Sequence, residues 1–125
     1  MAKTILVIDD EAGVRDAFEL ALLPQGYTVE LAVDGLSGVS AAARRRPDLI
    51  FLDLKMPGID GVETLRRLAA LYETPIPVYI VTAFASEYLA RLKQAREEQL
   101  AFQLAAKPLN ALQIREIARM VLGDR

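Results

Sequence analysis

The chain has 125 residues, 53% hydrophobic and 26% charged, with 15 Lys and Arg against 17 Asp and Glu for a net charge of −2. That length suits one domain able to bury roughly two-thirds of the surface its unfolded chain exposes, and the balanced charge excludes the global basic field that binds nucleic acid. Cysteine and histidine are both absent, which excludes disulfides, thiolate or imidazole metal sites and Ser-His-Asp catalysis and leaves carboxylates, lysine, hydroxyls and backbone groups for any chemistry.

Thr4–Ile8 is a continuous apolar, β-branched run and predicts a buried strand. In Glu11–Leu23, the spacing of Val14, Phe18, Ala21 and Leu22 predicts a helix, closed by Pro24 and Gly26. Tyr27–Val33 reads as a second strand. Val29 and Leu31 alternate there with Thr28 and Glu30, which indicates one wet face or an edge position. Asp34-Gly35 turns into a helix ending at Arg44-Arg45-Arg46-Pro47, where cations complement the helix dipole. Leu49–Leu52 is a third strand, and Asp53–Asp60 a loop carrying Pro57-Gly58. Val62, Leu65, Ala69 and Tyr72 form a third helical stripe. Val78–Val81 is a fourth strand, followed by a helix from about Ser86 to Gln99 and a fifth strand over Phe102–Ala106. Ile114, Ile117, Ala118 and Val121 mark the last helix.

The alternation predicts a (βα)5 α/β fold, a doubly wound five-stranded parallel sheet with helices on both faces. No linker or repeat divides the chain, so one domain over 1–125 is expected. No apolar run approaches the ~20 residues of a membrane span, and Met1–Thr4 lacks the features of a signal peptide. A cytoplasmic protein is expected.

The polar residues gather at strand ends: Asp9 and Asp10 after the first, Asp53 after the third, Thr82 after the fourth, Lys107 after the fifth. In an open parallel sheet these ends share one edge, where ligands bind near the point at which strand order reverses. Each residue alone has a plainer reading. Asp9-Asp10 suits a helix N-terminus, Asp53 a turn, Thr82 a cap and Lys107 the solvent. Their common edge argues for a site. Three carboxylates together repel, and a hard cation such as Mg²⁺ would neutralise them. A carboxylate can act as nucleophile to give an aspartyl-phosphate, a transfer that needs positioning and charge neutralisation rather than imidazole.

The motifs Ile8-Asp9-Asp10-Glu11, Asp53-Leu54-Lys55-Met56-Pro57-Gly58-Ile59-Asp60-Gly61, Val81-Thr82-Ala83 and Lys107-Pro108-Leu109 follow their strands in order, and over essentially the whole chain the sequence resembles the receiver domain of two-component response regulators. The resemblance implies a flavodoxin-like, CheY-like sheet of order 2-1-3-4-5, and Asp53 as phosphoacceptor. It implies Mg²⁺ on Asp10, Asp53 and the backbone carbonyl of Lys55, with Asp9 acting mostly through water. Thr82 and Lys107 would contact the phosphoryl oxygens, small Ala83 would leave them room, and the Lys107-Pro108 bond would be cis. The implied donor is a sensor histidine kinase or a histidine phosphotransfer protein. The implied output is a downstream protein on the face from the fourth helix to the fifth, with homodimerisation open and neither nucleic acid nor membrane as partner.

Two features depart from the family pattern. The usual aromatic switch position holds Leu104, with Phe102 two residues earlier. The stretch from Thr82 to Lys107 is about three residues longer than the family's and lacks its Gly-Ala before the last strand, so an extended fourth helix or an altered exit from it is expected. Beside the site, Phe84 is positioned to hinder the water that hydrolyses the acyl phosphate. Phe84, Tyr88 and Phe102 are the aromatics open to partner contact. Two other classes of function compete with a phosphorylation-controlled module. One is a phosphorylation-independent interaction module on the same fold. The other is a haloacid-dehalogenase-like phosphohydrolase, disfavoured because Lys55 stands where that family has a second Asp. A flavodoxin is disfavoured further, since no Ser/Thr-rich phosphate loop follows the first strand.

Overall fold

The computed structural model describes residues 2–123, so the ends of the expected 1–125 domain lie outside the described residues. Strand β1 (Thr4–Ile8) leads into α1 (Ala12–Leu22) and a 3-10 turn over Leu23–Gln25. Then follow β2 (Thr28–Ala32), α2 (Gly35–Arg44), β3 (Leu49–Leu52), α3 (Gly61–Ala69), β4 (Val78–Thr82), α4 (Leu89–Glu97), β5 (Gln103–Ala106) and α5 (Ala111–Leu122). All pairings are parallel and the strand order is β2-β1-β3-β4-β5.

The sequence dictates this layering. Residues alternate across a strand, so β1 feeds two cores at once. Ile5 and Val7 join Phe18, Phe51, Ile114 and Ala118 beneath α1 and α5. Leu6 and Ile8 join Ile50, Leu52, Val62, Leu65 and Leu92 beneath α2, α3 and α4. Local chemistry sets the helix starts. Asp34 with Ser37, and Asn110 with Gln113, form reciprocal capping boxes on α2 and α5. The Asp60 carboxylate accepts the Glu63 N–H at 2.9 Å to start α3.

Of the two readings of β2 the edge position holds, with Leu31 37% exposed there. Several expectations are corrected. In α3 it is Leu68, not Ala69, that is buried, and Tyr72 lies beyond the helix with its hydroxyl donating to the Ala42 carbonyl at 2.6 Å. Helix α4 is not extended. Ser86–Tyr88 form turns before it, with the Tyr88 N–H shared between the carbonyls of Phe84 and Ala85. At its end Gln99 takes a left-handed φ of 66° and the Leu100 N–H reaches back to the Ala95 carbonyl at 3.0 Å. That exit is the cap in which glycine usually sits, so the added length lies in the turns rather than in the helix. Strand β5 begins at Gln103, leaving Phe102 just outside it.

Close packing of α2 fixes the register of that layer. A Cβ on Gly38 would stand 2.4 Å from Ile8 Cδ1 and 2.7 Å from its Cγ1. Ile8 is fully buried in β1 and cannot step aside freely. Gly38→Ala is therefore expected to destabilise the fold by about 1–3 kcal/mol, read as a lower urea midpoint with an unchanged slope.

Candidate functional site

The site forms where β1 and β3 end beside each other. The Asp53 N–H donates to the Ile8 carbonyl at 3.0 Å and the Asp9 N–H to the Ala32 carbonyl at 3.1 Å, extending the ladders by one residue. Asp9 and Asp53 thus leave the sheet side by side, each 3% exposed. On the other flank the Lys107 N–H donates to the Thr82 carbonyl at 3.1 Å, which carries Lys107 to the same edge. Oxygens of Asp9, Asp10 and Asp53 lie within 4.8 Å of one another. Asp10 is the exposed member of the group.

Lys107 holds the cluster together. Its ammonium lies 2.8 Å from Asp9 Oδ2 and 3.3 Å from both Asp53 Oδ2 and Glu11 Oε1, with only 14% of the side chain exposed. Burial alone would push this ammonium down. Its hydrogen bond to Asp9 and the charges of Asp53 and Asp9 outweigh that and hold it above its ordinary 10.5. It is not a solvated lysine. Burial pushes the Asp53 carboxyl above the usual range, and Asp9 adds to this. Lys107 and the Leu54 N–H, which donates to Asp53 Oδ1 at 2.8 Å, pull it partway back.

Thr82 is buried, and its Oγ1 accepts the Phe84 N–H at 3.0 Å, which leaves the hydroxyl proton free to donate. Ala83 is exposed beside it. The Lys107-Pro108 peptide is cis. Gly61 closes the floor. Its N–H donates to the Leu54 carbonyl at 2.8 Å, and a Cβ there would lie 2.3 Å from the Asp53 carbonyl oxygen.

The output residues fare differently. Leu104 is 45% exposed on β5, whereas Phe102 is buried with the Arg96 guanidinium 4.1 Å above its ring, so Phe102 is not open to partners. Phe84 is partly exposed with the Lys55 ammonium 4.5 Å from its ring centre. Tyr88 packs partly buried against the core. The arginine run is used structurally: Arg45 pairs with Glu30 at 3.8 Å, and Arg46 donates to the Thr74 carbonyl at 3.2 Å.

Several site neighbours escape a reading of motifs. Arg15 donates to the Asp9 carbonyl at 2.8 Å, Arg91 pairs with Asp60, and Lys55 pairs with Glu87 at 3.6 Å. Arg15 lies one helical turn beyond Glu11, which was a usable signal. The other two pairs link the loop after β3 to the turn before α4 and to α4 itself, far along the chain, and had none.

The donor set is all oxygen, gathered at one edge, with a single ammonium among the acids. It fits a hard divalent cation that keeps part of its water. The family model for the response regulator receiver domain matches residues 5–119. Sporulation initiation phosphotransferase F of Bacillus subtilis is 34% identical over 98% of this chain and 95% of its own. Response regulator MprA of Mycobacterium ulcerans is 36% identical over 99% of this chain, which spans only 54% of that protein. Among solved structures, the receiver domain of a sensor histidine kinase of Pseudomonas aeruginosa PAO1, with a magnesium ion coordinated in its active-site cleft, superposes with a TM-score of 0.80. The two are 28% identical over 99% of this chain and 100% of that one.

The raised Asp53 carboxyl sets a pH dependence. The folded state holds this proton more tightly than the unfolded state, so its contribution is favourable below pH 3.8 and is lost as pH rises through the folded value. At neutral pH the charged carboxylate destabilises the fold. Without divalent cation, Asp53→Asn should unfold at higher urea at pH 7, by about 1 kcal/mol. The gain should shrink as pH falls toward 3.8. An equal or lower midpoint at pH 7 would count against a strained carboxylate pair.

Proposed function

This chain belongs to the response regulator receiver domain family, and on that premise we propose that it is a single receiver domain that takes a phosphoryl group onto Asp53 from a phosphohistidine. The observation that carries this reading is the buried Asp9–Asp53 pair around the Lys107 ammonium, with Asp10 open beside it. Asp10, Asp53 and the backbone carbonyl of Lys55 would hold Mg²⁺ directly, and Asp9 through water. When bound, the cation would offset the negative charge of the phosphoryl group and the acids around it.

In the transfer, a carboxylate oxygen of Asp53 forms the new O–P bond while the donor's N–P bond breaks, and the freed imidazole nitrogen takes a proton. Lys107 offers charge to the phosphoryl oxygens, the Thr82 hydroxyl donates a hydrogen bond and Ala83 leaves room. The reaction is the domain's own phosphorylation, ended when water attacks the acyl phosphate, inorganic phosphate leaves and the Asp53 carboxylate is restored. A groove of about 340 Å³ beside the site, between α1 and the turn after β5, is lined by Gly13, Val14, Ala17, Pro108 and Leu109 among others. An apolar wall next to a charged acceptor suits a donor protein that docks by side-chain packing while it presents its histidine. The donor is a sensor histidine kinase or a histidine phosphotransfer protein. The face of α4, β5 and α5, with Leu89, Leu104 and Met120 exposed, is the downstream surface.

Incubation with acetyl phosphate and Mg²⁺ should add one phosphate by intact mass, lost without Mg²⁺ and lost in Asp53→Asn. Labelling that persists in the variant would sink the assignment of Asp53. The absence of both labelling and Mg²⁺ binding would favour the phosphorylation-independent module. Phe84→Ala should open the site to water and hasten loss of the phosphate by about five- to tenfold, or roughly 1–1.4 kcal/mol of barrier. An unchanged half-life would remove Phe84 as a shield.

A further inference from the structure

Among the described residues, the ion pairs at the start of α4 end on the loop that carries Asp53. Glu87, just before the helix, pairs with Lys55 at 3.6 Å, and Arg91 pairs with Asp60. The Lys55 ammonium also stands 4.5 Å from the ring centre of Phe84 at the start of the same turn. The far half is anchored elsewhere, by Arg66 of α3 on Glu98 at 3.0 and 3.2 Å and by Arg96 over Phe102. Beneath the helix, only Leu92 and Ala95 are buried. A helix so lightly packed opens locally at low cost, and the ion pairs at its start are only part of what holds it.

Lys55 lies two residues after Asp53, so their Cα atoms are at most about 7 Å apart. Its side chain is long enough to reach a group attached to Asp53. Where it now lies it is weakly held: both partners of the Lys55–Glu87 pair are about half exposed, at 52% and 54%, where an ion pair gains little. A phosphoryl group offers more charge and three strong acceptor oxygens. Lys107 is shared among Asp9, Asp53 and Glu11, so a second ammonium would add to the counter-charge it offers the phosphoryl group. The aromatic route to a switch is closed, because Leu104 is aliphatic and Phe102 is buried under Arg96.

We propose that Lys55 is the positioning residue that couples Asp53 to the output face: a phosphoryl group on Asp53 draws its ammonium from Glu87 and Phe84, and the turn into α4 is released. The turn Phe84–Tyr88 and the exposed Leu89 that follows it then change their presentation, while the far half of α4 stays pinned to α3. This rests on the reading of Asp53 as phosphoacceptor and adds to it the residue that transmits the signal.

The test is amide hydrogen exchange of the full chain in Mg²⁺, with and without beryllofluoride as the phosphoryl mimic, with ¹⁹F resonances reporting occupancy. In the parent protein, bound beryllofluoride should speed exchange in residues 84–90 about fivefold and leave residues 94–98 unchanged. In Lys55→Met the turn should exchange at the faster rate without the mimic and gain nothing from it. Glu87→Gln, whose side chain pairs with Lys55 and not with Asp53, Thr82 or Lys107, should do the same and keeps the test open if Lys55→Met does not fold. A parent-like response in either folded, occupied variant overturns the proposal, as does unchanged exchange in the occupied parent. A missing bound ¹⁹F resonance overturns the Asp53 reading itself and the proposal with it.

Discussion

Two carboxylates at the ends of adjacent strands, each almost wholly out of water, are tolerated only with a cation between them. Asp9 and Asp53 share the Lys107 ammonium at 2.8 and 3.3 Å, and without it both charges would face the full cost of burial beside a like charge. The sheet holds this arrangement because the backbone of all three residues continues the strand ladders, through Ala32, Ile8 and Thr82. The fold therefore holds two acids close together, buried and short of counter-charge. That unmet demand makes the edge receptive to a divalent cation and then to a phosphoryl group.

The rest of the molecule divides by how firmly it is held. The α1–α5 layer rests on a deep aromatic and aliphatic core around Phe18 and Phe51, whose ring centres are 4.7 Å apart. Helix α4 has two buried side chains and a set of arginine, lysine and carboxylate tethers. Surface ion pairs add little stability and exchange partners readily, whereas packed cores do not yield by small steps. A charge change at Asp53 finds α4 the easiest element to move, because the tethers of that helix are of the same kind as the signal.

Much of this was legible in the residues. The apolar runs Thr4–Ile8, Leu49–Leu52 and Val78–Val81 marked central strands, because strands covered on both faces need no polar alternation. The strand-end polar residues marked the edge of the site. Alternation in β2 left a wet face and an edge position both open, because it gives a face but not whether a neighbour covers it, and the sheet order makes β2 an edge. Helix α4 misled because its charged length reads as helix from Ser86 onward, while its ends depend on turns that composition does not encode. Lys55–Glu87 and Arg91–Asp60 could not be read, since each joins segments more than thirty residues apart in the chain.

By itself the sequence determined the order of strands and helices, the two-sided burial of the sheet and which acids, hydroxyl and lysine reach its edge. These follow from hydrophobic period and from the chain's direction, which are local. Only the tertiary structure decided that Lys107 is buried between Asp9 and Asp53, that Phe102 is sealed while Leu104 is open, and that Lys55 leans on Phe84 and Glu87. Those outcomes depend on distance and dielectric between side chains far apart in the chain, and such quantities exist only once the sheet has brought its strand ends together.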